Sequence, residues 1–205
     1  MVAAGDSPVE AGATQAPGVI CFGEIVWDSL PSGLALGGAP LNVAYHLRKR
    51  NRAPYLVSAL GDDRLGERTR ARIEEMGIAS KLIETVPAIP TGRVNVHLEG
   101  TEPRYEILHP AAWDRISASA ARLPPLSAVG GLVHGSLALR SDHNRATLDD
   151  LIHRYAGTVR VFDVNLRPPY DDRQRIQELA ANCDLVKVNR EELRFLLDAP
   201  RVESG

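Results

Sequence analysis

Along the chain, short apolar runs alternate with longer stretches in which apolar residues recur every three or four positions. "GVICF", with Val19 to Phe22 as its apolar run, carries no polar side chain and reads as a strand buried on both faces. Pro40 to about Lys49 reads as a helix, and "YLVSAL" as a second strand. From Arg64 to Met76 the period is helical, with Leu65, Ile73 and Met76 on one face and Gly77 suited to the C-terminal end. Between Thr91 and Pro110 the pattern changes. "GRVNVHLEG" and "RYEILHP" alternate polar and apolar residues around a glycine-containing turn, which predicts a hairpin with one wet face. The strand–helix order then resumes. "GGLVHGSL" is a strand, and Asn144 to Tyr155 is a helix with Leu148, Leu151, Ile152 and Tyr155 inward. "TVRVFDVN" is a strand, and Asp171 to Asn182 a helix with Ile176, Leu179 and Ala180 inward. "DLVKVN" is a last strand, and Arg190 to Leu197 a last helix. No internal repeat interrupts the series.

This order predicts an α/β fold: a mostly parallel sheet with helices on both faces and a small inserted β element. Ligands of such sheets bind beyond the carboxyl ends of the strands. The residues to weigh are therefore Glu24 and Asp28 in "GEIVWDSLPSG", then "GGAPLN", "GDDRLG", "DVNLRPPYDD" and "NREE".

Composition narrows the classes. With 205 residues and 44% hydrophobic content, the chain can build one α/β domain with a real core. The net charge is −2, with signs mixed, which lacks the basic patch of a nucleic-acid binder. No apolar run approaches the roughly 20 residues of a membrane span. Residues 1–18, rich in Ala, Gly and Pro, are expected to be a disordered tail and have neither the basic nor the apolar part of a secretion signal. Cys21 and Cys183 lie in or beside core segments, which fits a reducing compartment and a cytoplasmic location. The six histidines show no metal-ligand spacing.

The strand-end motifs each have a chemical and a plain reading. Gly37 and Gly38 would let backbone N–H groups approach a ligand, and the Asn42 amide can both donate and accept; the plain reading is a tight turn with Pro40 starting a helix. Asp28 is a multi-site acceptor or an exposed turn aspartate. In "GDDRLG", Asp62 or Asp63 reads as the cap of the next helix, not as a catalytic pair. Alternation would put Asp163, Asn165 and Arg167 on one side; Arg167 suits a phosphate or polar substrate, or a plain salt bridge with Asp163. Asn189 and Glu192 form a capping box, whose helix N-terminus also attracts phosphate. Trp27 and Trp113 either wall a site or pack in the core, and His46 is expected to pack or face solvent. The dinucleotide pattern G-x-G-x-x-G and the P-loop pattern are absent.

"GEIVWDSLP", "GGAPLNVAYHL", "GDDRLG", "FDVNLRPP" and "KVNREEL" together resemble the N-terminal portion of the ribokinase-like (PfkB) carbohydrate kinases, in the fructokinase-like branch and in the same order. The resemblance runs from about Val19 to Leu197. It implies a doubly wound domain over residues 19–205, with a small β lid contributed by strands from about 28–36 and 91–110. It implies transfer of the γ-phosphoryl group of ATP to a sugar hydroxyl with Mg2+. Fructose is the first expectation; ribose, a nucleoside or 2-keto-3-deoxygluconate is the alternative. The family pattern assigns sugar contacts to Asp28, Gly37, Gly38, Asn42, Asn165 and Arg167, with an electrostatic role for Arg167. It assigns ATP or phosphate contacts to Asn189 and Glu192, with Glu192 near magnesium through water. A homodimer through the β lid is a further expectation.

The family's Gly-Ala-Gly-Asp loop, which supplies the catalytic base and the anion hole, does not occur in these 205 residues. The expectation is therefore an N-terminal fragment, without its own base and with an exposed apolar edge where the missing C-terminal part would pack. Loss of a general base costs roughly 10²–10⁴ in rate, so the chain alone is expected to be inactive or very weak. The competing expectation is a non-catalytic sugar-binding or subunit-interaction module.

Overall fold

The structure, a computed structural model, describes residues 16–99 and 102–197. Most of the expected N-terminal tail lies outside the described residues, and Gly18 already opens the first strand. Strand β1 (Gly18–Phe22) leads to a hairpin of β2 (Val26–Leu30) and β3 (Gly33–Gly37), then helix α1 (Ala39–Lys49). Next come β4 (Pro54–Gly61), α2 (Arg64–Glu75) and β5 (Ile83–Val86). A second hairpin, β6 (Arg93–Glu99) and β7 (Glu102–Ile107), follows. The rest is β8 (Val129–Gly135), α3 (Asp142–Arg154), β9 (Val159–Asp163), α4 (Arg173–Ala181), β10 (Leu185–Lys187) and α5 (Arg190–Leu197).

Six strands form a parallel sheet in the order β10-β9-β8-β1-β4-β5. Alternation splits its core in two. Ile20 and Phe22 of β1, with Val57 and Ala59 of β4, face a cluster closed by Leu148, Leu151 and Tyr155. Cys21 of β1, with Leu56 and Leu60 of β4, faces the opposite cluster, closed by Leu41, Ala44 and Ile73. Helices therefore cover both faces, as the unbroken apolar strands require. After β1 the chain first builds β4 and β5 on one side, and then β8, β9 and β10 on the other. The reversal leaves a crevice beyond the carboxyl ends of β1 and β8.

One expectation changes, one strand is added and one open alternative is decided. The inward face of α2 carries Gly66, Thr69 and Ile73, while Leu65 is only half-buried. The cause is a close approach: a Cβ at Gly66 would lie 2.2 Å from the Gly61 carbonyl oxygen. Strand β5 is not predicted by pattern, because it has only four residues and sits at the sheet edge. Both tryptophans are buried structural groups: Trp27 Nε1 donates to Thr69 Oγ1 at 2.8 Å, and Trp113 lies under the Arg140 guanidinium at 4.0 Å. At the other edge, β10 and α5 expose Leu185, Val186, Leu193 and Leu197.

The two hairpins make a separate four-stranded sheet, in the order β3-β2-β6-β7. They join through parallel pairing of Trp27, Asp28 and Ser29 with Arg93, Val94 and Asn95. Asp63 anchors this sheet. Its Oδ1 caps α2 by accepting from Gly66 N at 2.8 Å, and its Oδ2 accepts from Thr91 N at 2.8 Å. Thr91, just before β6, also donates its hydroxyl to Asp63 and accepts from Gly61 N. Burial alone would raise the Asp63 pKa, but these hydrogen bonds hold it below the ordinary value.

Asn144 is the polar staple beneath the sheet. Fully buried, it accepts from Ile116 N at 2.9 Å and donates to the Trp113 and Ala138 carbonyls at 2.7 Å each. Asn144→Ala would leave three buried backbone groups unpaired. The expected cost is about 4 kcal/mol, read as a lowered midpoint in urea denaturation; a loss below about 1 kcal/mol would refute the staple.

Candidate functional site

A cavity of about 620 Å³ opens beyond the carboxyl ends of β1, β8 and β9, between the six-stranded sheet and the four-stranded one. Its walls bring together Asp28, Gly37, Gly38, Asn42, Asn165 and Arg167. The four-stranded sheet adds the apolar side chains of Val94 and Ile107, with Tyr105 beside them.

Each polar group reaches the cavity for a local reason. Asp28 lies on β2 opposite Ala35 of β3, with its Oδ2 close against Gly37: a Cβ there would lie 3.1 Å from it. Half-burial raises the Asp28 pKa, and the charge of Arg167 pulls it back. Gly38 is the N-cap of α1 with φ 117°, a conformation that favours glycine. A Cβ at Gly38 would also lie 2.4 Å from the Glu24 carbonyl oxygen. Asn42 sits one turn into α1, exposed, and its amide has no hydrogen-bond partner among the described residues.

Strand β9 ends at Asp163, so alternation does not carry Asn165 to the wall. A left-handed turn does, with Asn165 at φ 41°, a conformation asparagine tolerates. The plain Asp163–Arg167 salt bridge does not form. Asp163 Oδ1 accepts from Lys187 Nζ at 2.8 Å, whereas Arg167 Nη1 donates to the Leu166 carbonyl and its guanidinium lies 5.7 Å from the Tyr105 ring. Arg167 thus faces the cavity with no carboxylate bound to it among the described residues.

Asn189 and Glu192 lie beyond β10 and outside the cavity wall. They form the reciprocal box: Asn189 N donates to Glu192 Oε2 at 2.8 Å, and Glu192 N donates to Asn189 Oδ1 at 2.9 Å. Glu192 Oε1 also accepts from Leu166 N at 3.2 Å, tying α5 to the segment that carries Asn165 and Arg167. Each carboxylate oxygen of Glu192 keeps a second lone pair.

Two wall residues escape motif reading. His46 faces the cavity one turn beyond Asn42. Glu24 is only 3% exposed, accepts from Ala39 N through Oε1 at 3.3 Å, and has no partner for Oε2 among the described residues. Its place just past β1 was the available signal. Burial pushes its carboxyl up to about 7, against the pull of hydrogen bonds from the Glu24 and Ala39 backbones and of the Arg167 charge. Among the described residues no group of three metal-ligand side chains assembles, and no helix is long and apolar enough to cross a membrane.

Because burial raises the Glu24 pKa, its neutral form is favoured in the folded state. That stability is fully present below the unfolded value near 4.5 and is lost as pH rises through about 7. The unfolding free energy should fall across that window by roughly 3 kcal/mol from this group, and Glu24→Gln should flatten the slope. Urea titrations at several pH values check this; an unchanged slope in Glu24→Gln would exclude the assignment.

The pfkB family carbohydrate kinase model matches residues 32–204. A probable fructokinase-4 of Arabidopsis thaliana is 25% identical over 209 residues, covering 90% of this chain and 63% of that protein. Fructokinase-1 of Zea mays is 27% identical, covering 90% of this chain and 64% of its own length. This chain therefore spans less than two thirds of the length of these relatives. Among solved structures, the fructokinase of Xylella fastidiosa with bound ATP superposes with a TM-score of 0.77 at 25% identity, over 88% of this chain and 60% of that one. A Vibrio cholerae fructokinase double mutant in a fructose-, ADP- and potassium-bound form shares the fold, with a TM-score of 0.76 at 24% identity, over 91% of this chain and 64% of that one.

Proposed function

Since the chain belongs to the pfkB family of carbohydrate kinases, we propose that it carries the sugar site of an ATP-dependent kinase that phosphorylates a sugar hydroxyl, fructose first among the candidates. The observation that carries this reading is the convergence of Asp28, Gly37, Gly38, Asn42, Asn165 and Arg167, from separate segments, on one cavity wall. The fructokinase names of the relatives support the choice of sugar.

In this reading, Asp28 accepts from sugar hydroxyls and Asn42 pairs with one as donor and acceptor. The open backbone at Gly37 and Gly38 lets the sugar lie close, while Val94 and Ile107 cover its apolar face and exclude water. The proposal makes the four-stranded sheet the lid, and extends to a homodimer through it. Arg167 offers a fixed positive charge where the phosphoryl group arrives. Asn189 and Glu192 lie on the nucleotide side. Magnesium would supply charge neutralisation of the phosphates. The Glu192 carboxylate holds two backbone N–H groups and keeps a lone pair on each oxygen, which would accept from a water on magnesium, an ion that keeps much of its hydration shell. The base is proposed to lie in sequence beyond residue 205, because no Gly-Ala-Gly-Asp loop occurs within the chain. The second reading is a sugar-binding or subunit-interaction module without catalysis.

Calorimetry with D-fructose should show binding to the 205-residue chain. Asp28→Asn should weaken it by about tenfold or more, since a charged acceptor contributes roughly 1.5–3 kcal/mol per hydrogen bond. Joined to its downstream coding sequence, the chain should consume ATP in a fructose-dependent way, at least about 10⁴ faster than the chain alone. Absence of turnover with any sugar in the joined form would favour the module; absence of binding would sink both readings.

A further inference from the structure

The buried group that the sugar reading leaves without a task is Glu24. Helix α1 opens at Gly38, which has no side chain to cap the first turn. The orphaned Ala39 N–H is met instead from another segment, by Glu24 Oε1 at 3.3 Å. The second oxygen, Oε2, is sealed from solvent and has no hydrogen-bond partner among the described residues. The residue nonetheless borders the cavity that holds Gly38 and Asn42.

We propose that Glu24 is a positioning residue of this cavity: it caps α1 from outside the helix, sets Gly38 and Asn42 against the sugar, and does so as the neutral acid when sugar is bound. This rests on the reading of the cavity as a sugar site. Cavity contents decide the protonation state. Asp163 already places negative charge near Glu24. Of the basic side chains on the wall, Lys187 is taken by Asp163, His46 and Arg50 belong to the α1 side, and Arg167 is the one whose charge favours ionised Glu24. A sugar that fills the cavity replaces high-dielectric water beside this sealed carboxylate with a less polar neighbour, which disfavours the charged form. Burial already holds the group near pH 7, so its ionisation falls where binding is measured. Ionised Glu24 then opposes the bound state, and sugar binding takes up a proton.

The test titrates D-fructose, D-ribose and 2-keto-3-deoxygluconate into the 205-residue chain at about pH 5.5, about pH 7 and about pH 8.5. Affinity of the wild type should fall by at least about tenfold from the lowest to the highest pH. Glu24→Gln, which keeps the Ala39 acceptor and cannot ionise, should hold the low-pH affinity within about threefold throughout. His46→Gln should keep the wild-type slope. Near pH 7, in buffers of different ionisation enthalpy, the wild type should take up protons on binding. A wild-type slope in folded Glu24→Gln overturns the proposal, as does binding by the wild type without proton uptake; the latter decides the matter even if the variant does not fold. No binding of any of the three sugars at any pH overturns the sugar reading itself, and this proposal with it.

Discussion

The cavity depends on one close approach, that of Gly38 to the Glu24 carbonyl. The chain leaves the six-stranded sheet at Glu24, runs out along β2 and back along β3, and returns to touch its own point of departure. Only a residue without a Cβ, at positive φ, fits where the two ends meet. That contact pins both ends of the hairpin, fixes the axis of α1 and sets the cavity floor. A side chain at position 38 would move all three together, because the atom it meets is backbone and cannot swing away.

A second set of contacts holds the far wall. Arg140 pairs with both oxygens of Asp114 at 2.8 Å, and its guanidinium lies between the rings of Trp113 at 4.0 Å and Tyr170 at 4.6 Å. Tyr170 N in turn donates to the Arg167 carbonyl. The segment that presents Asn165 and Arg167 is thus braced from below by a flat cation held between two aromatic faces, and from the side by Glu192. A long surface segment with few apolar residues of its own gains a defined shape in this way.

Much of this was legible in the sequence, for physical reasons. The main strands and helices show because burial on two faces forces apolar runs and burial on one face forces a 3.6-residue period. The Asp63 cap and the Asn189–Glu192 box show because capping chemistry is local in sequence. What did not show depends on contacts between distant segments. Strand β5 is too short to carry a period. Gly66 replaces Leu65 on the inner face of α2 because of where Gly61 lies, which no helical wheel contains. Asn165 reaches the cavity through a left-handed turn and not through strand alternation. Glu24 looks like any polar residue after a strand until the fold closes over it.

The four-stranded sheet has an uneven seam. Each of its two hairpins pairs strands adjacent in sequence, whose ends are close along the chain. The β2–β6 ladder that unites them joins strands separated by α1, β4, α2 and β5, and pairs only three residues on each side. The hydrogen bonds of Asp63 with Thr91 hold the start of β6 where this ladder forms. The roof of the cavity is therefore made of two halves held together by a narrow seam. Local opening would part it along that ladder and leave the parallel sheet beneath intact.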